Sequence, residues 1–155
     1  MNLQAGTFLR SSSALDNTYF ENVIIYITEH NAQGAMGFVV SRPFNRSLNE
    51  LEEFKDSISF LLYEGGPVDQ EHIFFLHMRP DLIEQGVRIG NGIYLGGNFN
   101  QVLESLNNGN LLADHIKLFI GYCGWNKDEL EAEVNEGSWE IIEGTNSDIF
   151  GSYSN

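Results

Sequence analysis

Two apolar runs separated by one short polar stretch constrain this fold more than anything else in the chain. Val23-Ile24-Ile25-Tyr26-Ile27-Thr28 is β-branched and apolar on both faces, which predicts a strand covered from two sides and lying mid-sheet. After Glu29-His30-Asn31-Ala32-Gln33-Gly34 comes Ala35-Met36-Gly37-Phe38-Val39-Val40, so the two runs read as a hairpin in which Gly34 supplies a positive φ. Gly37, inside the second strand, marks a place where a side chain would strike a neighbouring element. Arg42-Pro43 stops that strand.

Further along, Ser47-Leu48-Asn49-Glu50 has capping-box spacing and predicts a short helix through Leu51 and Phe54. Leu61–Glu64, Ile73–Met78 and Gly92–Leu95 read as strands, with a helix after each of the later ones. Phe99, Val102, Leu103 and Leu106 fall at helical intervals behind Asn98 and before Gly109. Ile116–Tyr122 predicts a strand, Asn126 to Glu129 a capped helix start, Leu130 and Val134 its apolar stripe, and Ser138–Glu143 a final strand. One domain over residues 1–155 accommodates all of this, since a chain of 155 residues is long enough for one core.

The formal charge is −14, and Asp128 to Asn155 carries eight acids and no base. Lys and Arg are sparse and scattered from Arg10 to Lys127, so no direct nucleic-acid binding is expected. No apolar run approaches the roughly 20 residues of a membrane span, and the start lacks the pattern of a signal peptide. The expectation is a cytoplasmic protein without membrane attachment. Cys123 is the sole cysteine, which precludes an internal disulfide and agrees with a reducing compartment.

Few residues carry chemistry. Glu29-His30 at the hairpin tip offers an acid and a base, but no third catalytic group is evident, and the plainer reading is that His30 and Asn31 tie the loop to its own backbone. His72, His77 and His115 have no metal-site spacing, and Cys123, next to an apolar strand, reads as a buried inert thiol. No metal and no cofactor is expected. Gly96-Gly97-Asn98 leads from a strand into the best helix, where backbone amides can hold an anion; tight-turn geometry explains these glycines as well. Glu29, His30, Asn31, Gly96 and Gly97 are thus the candidate ligand-binding residues.

Taken together, Phe20-x2-Val23-Ile24-Ile25-Tyr26-Ile27-x-Glu29-His30-Asn31, Gly34-Ala35-Met36-Gly37-Phe38-Val39-Val40, Gly65-Gly66-Pro67-Val68, Gly121-Tyr122-x-Gly124-Trp125, Leu130-Glu131-x-Glu133 and Trp139 resemble the AlgH/YqgE family of small bacterial proteins. The resemblance implies an α+β fold whose mixed, bifurcated sheet curls into a pseudo-barrel with helices packed outside. It implies a role in regulating transcription, through an association with control of alginate production, and brings no catalytic residues with it. Ser41 stands where the family usually has Asn, and Glu129 where Gln is common. The functional expectation is a regulator or adaptor that acts by binding a protein partner or a small ligand, without catalysis. The alternative is an enzyme or nucleotide-binding protein using one cleft made by Glu29-His30 and Gly96-Gly97.

Overall fold

The computed structural model describes residues 2–153. Ten strands and three helices follow in the order β1 (Phe8–Ser11), β2 (Ile24–Asn31), β3 (Gly34–Val39), β4 (Pro43–Ser47), β5 (Leu61–Glu64), β6 (Val68–His77), β7 (Val87–Gly90), β8 (Ile93–Leu95), α1 (Phe99–Asn107), β9 (Ile116–Asn126), α2 (Glu129–Asn135), β10 (Trp139–Ile142) and α3 (Asn146–Phe150). The main path runs β10-β1-β2-β3-β9-β6-β8-β7, with β4 and β5 off it. Among the described residues every ladder is antiparallel except β5 with β9.

Strand β9 is where the sheet forks. Its Leu118–Ile120 stretch pairs with β5, while Cys123–Asn126, further along, pairs with β3; β6 pairs with it from Ile116 to Tyr122. Gly121, at φ +73, stands between the two partners, a backbone conformation that side chains other than glycine rarely take. No ladder joins β7 to β10, so the sheet is open and the barrel closure implied by the family resemblance is not formed by its hydrogen bonds.

Alternation along the strands sorts the core onto two faces. Tyr26, Phe38, Val40, Leu76 and Phe119 share one face with Phe8, and α3 lays Ile149 and Phe150 on it. On the other face α1 covers Leu62, Phe75 and Leu118 with Val102 and Leu106, while α2 covers Ile25, Ile27 and Val39 with Leu130. The helices therefore lie on both faces of the sheet rather than on one.

The hairpin forms as expected, with β2 mid-sheet between β1 and β3. Gly34 has φ +146, and a Cβ there would lie 2.1 Å from the Trp125 carbonyl oxygen; one at Gly37 would lie 2.6 Å from that of Tyr26. Three expectations need correction. The Ser47–Glu50 capping box forms, but Leu51 is extended (φ −84, ψ 132), so it starts two short 3-10 turns, Leu48–Glu50 and Glu52–Phe54, and no α-helix. β3 already stops at Val39, and Pro43 instead opens β4, a first-residue position where a missing N–H is tolerated. After β6 there is no helix; the chain turns through Arg79 and Leu82 into β7.

Candidate functional site

The hairpin residues singled out in the sequence gather against α2, and a bulge decides how. Between Ile27 and Glu29 the β2–β3 register shifts, leaving Thr28 as an extra residue that bonds the Met36 carbonyl. Simple alternation would send His30 to the Tyr26 face. The bulge instead turns it to the α2 face, opposite Ala35, where its Nε2 lies 2.8 Å from Glu131 Oε2. His30 is half-buried there and makes no bond to the loop backbone, whereas Asn31 does hold the loop: its Oδ1 accepts from the Gln33 amide at 2.8 Å, and its Nδ2 donates to Glu29. The Glu131 carboxyl is kept below the usual range by its own backbone amide and by the His30 ring.

Two residues on, the half-buried Glu133 presents a single oxygen, Oε1, to two indoles: Trp125 Nε1 donates at 3.0 Å and Trp139 Nε1 at 2.9 Å. Both rings are buried and meet edge to face at 6.4 Å. Two buried donors thus share one carboxylate, and this tie joins α2, β9 and β10. The shallow cleft beside His30, about 320 Å³, is lined by Asn2, Leu3, Glu131, Val134, Asn135 and Ile141.

Gly96 and Gly97 lie elsewhere. β8 is separated from β2 by β6, β9 and β3, and the level of Leu95 on β9 (Lys117) is eight residues from that of His30 (Trp125), about 25 Å of strand. The two halves of the conjectured cleft are not brought together. The turn is closed on itself: the Gly96 amide donates to Phe75 O at 2.8 Å, the Asn98 amide to Glu84 O at 2.9 Å, and His77 Nε2 bonds the Gly96 carbonyl at 3.0 Å. His77 Nδ1 accepts from the Arg79 amide, and burial pushes the ring below its ordinary pKa, so it is a neutral structural histidine with its proton on Nε2. Cys123 is buried against the Gly65 carbonyl, with its thiol pushed up to about 12 by burial.

A roomy concavity was not singled out in the sequence. A groove of about 570 Å³ runs between β4, the turn at Glu52–Phe54, β6 and the start of α1. Phe44, Phe54, Phe99 and Ile73 line it, with Phe54 and Phe99 edge to face at 5.5 Å, while Arg46, Glu53, Glu71 and His72 stand at its rim. His72 Nδ1 lies 2.6 Å from Asp69, which raises the ring's pKa. The sequence assigns Leu51 and Phe54 to one helix and Phe99 to another, and nothing local shows that Phe54 and Phe99 meet.

A third locus was missed altogether. Lys117, only 3% exposed on β9, donates from Nζ to Val40 O and to Gly151 O, each at 3.1 Å, and sits 3.8 Å from the Tyr63 ring centre and 5.0 Å from that of Tyr153. Burial pushes it down to about 7. A lysine inside an apolar strand carries no periodic signal that separates it from an exposed one.

Comparison with known proteins places the chain in a family. The sequence matches the AlgH-like family, DUF179, over residues 8–155. UPF0301 proteins of Chlorobium luteolum and Cytophaga hutchinsonii are 38% and 33% identical to it, each over 96% of this chain and over 78% and 82% of their own lengths. The solution structure of the AlgH protein from Pseudomonas aeruginosa superimposes with a TM-score of 0.77 at 26% identity, covering 97% of this chain and 85% of that one. A crystal structure of a Corynebacterium diphtheriae protein gives 0.75 at 20% identity, covering 97% and 81%, and speaks for the fold alone. The chain belongs to the AlgH-like family.

Proposed function

We propose that this protein is a non-catalytic regulator or adaptor of the cytoplasm that acts by holding a small ligand or a partner's side chain in the aromatic groove beside β4 and α1. The observation that carries this reading is the groove itself: a concavity of about 570 Å³ with an aromatic floor and a few polar groups at its rim has the make-up of ligand sites in general. The acid and base the sequence offered for catalysis are each engaged elsewhere, Glu29 with Asn31 and His30 with Glu131. Glu133 is spent on two indoles, and His77 on the Gly96 turn.

Any control of transcription is then indirect. Arg10, Lys55 and Arg79 are paired with carboxylates, Arg42 is turned onto the Tyr19 carbonyl and ring, and Lys117 is buried. That leaves few cations for the phosphate contacts that hold a duplex. Among the described residues, no helix is long and apolar enough to cross a membrane. A thermal-shift screen of small ligands, run beside a pull-down from the parent lysate, tests the proposal. A ligand or partner whose binding is lost in Phe54→Ala while the fold is kept supports it. A silent screen with no reproducible partner overturns it.

A further inference from the structure

Lys117 occupies an unusual position for a cation. Among the described residues, no carboxylate approaches Nζ; it is held by the Val40 and Gly151 carbonyls and the rings of Tyr63 and Tyr153, and Lys117 lines a cavity of about 170 Å³. Phe60, Tyr63, Ile116 and Phe150 give that cavity apolar walls, and the exposed Ser59, Leu61, Ala113 and Ser152 place its mouth at the surface. Of the two carbonyls, that of Val40 belongs to the chain just after β3, while that of Gly151 belongs to the C-terminal segment, tied down by α3 and by Tyr153 Oη donating to Asp148 O at 2.6 Å.

We propose that Lys117 is a carbonyl-capture site, whose amine condenses with a small uncharged aldehyde that enters this cavity. A desolvated lysine in an apolar pocket loses its proton readily and becomes a nucleophile. The amine lone pair attacks the carbonyl carbon and the carbonyl oxygen takes up the displaced electron pair. Two of the three ammonium hydrogens leave with that oxygen as water when the carbon–nitrogen double bond forms. The product is a protonated imine, with one N–H left for Val40 O and its positive charge still facing the Tyr63 and Tyr153 rings, as the ammonium's does. The Gly151 contact is given up. An anionic guest is disfavoured, because the two carbonyl oxygens already turn their negative ends toward Nζ.

The chain has three lysines, Lys55, Lys117 and Lys127, so the test is direct. The full chain is incubated at neutral pH with benzaldehyde and cyanoborohydride, and benzylated sites are located by peptide mass mapping. Lys117 should be labelled at least about tenfold faster than the exposed Lys55, because about half of its amine is free of a proton at this pH, against a very small part of an ordinary lysine's. Lys117→Arg, which keeps a cation in the cage, should lose this fast label while Lys55 and the N-terminal amine label as before. Labelling of Lys117 at or below the rate of Lys55 overturns the proposal.

Discussion

The α2 hub and the Lys117 cage both bury polar side chains against the same sheet, yet they dispose of charge in opposite ways. Around α2 each buried donor meets a carboxylate, with two indoles on Glu133 and His30 on Glu131. At Lys117, among the described residues, a buried cation meets only carbonyls and ring faces. In the hub, charge and hydrogen bonds are matched, and removing one partner leaves the others orphaned. In the cage the charge is unmatched, and the group is poised to shed its proton. The stretch richest in familiar polar residues is therefore the more structural of the two, and the chemically unsettled group lies in an otherwise apolar strand.

The hardest test of the hairpin half is Gly37→Val. Its added methyl groups have nowhere to go beyond a Cβ already 2.6 Å from Tyr26 O, so a loss of about 3 kcal/mol or more is expected in urea denaturation. A loss under about 1 kcal/mol would mean that β2 and β3 are further apart than described. Next in size, Glu133→Ala leaves two buried indole N–H groups without an acceptor and should cost about 2 to 3 kcal/mol, while Glu133→Gln, which keeps an amide oxygen, should cost less than half of that. Equal losses in the two variants would show that packing rather than the shared oxygen holds the hub.

The cage predicts a pH dependence of the opposite sense to that of a matched pair. Because Lys117 is lowered from 10.5 to about 7, the unfolded chain binds more protons than the native one between these values. The penalty for burying its charge is complete below the lower value and is relieved as the pH rises through the window. Stability should therefore climb by about 1 kcal/mol or more between about pH 7 and about pH 9. Lys117→Met should abolish the climb; an unchanged profile would assign it to another group. The smallest effect is expected of His30→Ala, about 1 kcal/mol by chemical denaturation, because its bond to the part-exposed Glu131 is only half-buried. A loss larger than that of Glu133→Ala would make His30, not Glu133, the centre of the hub.

Much of the architecture was legible in the chain. The β2–β3 hairpin, its mid-sheet place, Gly34 at positive φ, the helix capped by Asn98, whose Oδ1 accepts from the Gln101 amide, and the long apolar β9 all follow from local chemistry: periodicity, capping and the freedom of glycine. Thr145-x-x-Asp148 likewise carries the capping-box spacing at the start of α3. Strands β1 and β7 are four residues each, too short for their alternation to stand out, and β1 draws its support from β2 and β10 rather than from its own residues.

What the sequence by itself determined is the identity of the family, the net charge of −14 and the alternation that divides the core between two faces. What only the tertiary structure decided is where each reactive group ends up. One extra residue at Thr28 sends His30 to Glu131 on α2; the order of β6, β9 and β3 keeps the Gly96 turn away from it; and α3 brings Gly151 over Lys117. The reason is one of range. Alternation, caps and turns act over a few neighbouring residues, whereas Lys117 with Gly151 and His30 with Glu131 are 34 and 101 positions apart, and such pairs exist only once strands distant in the chain have found their register.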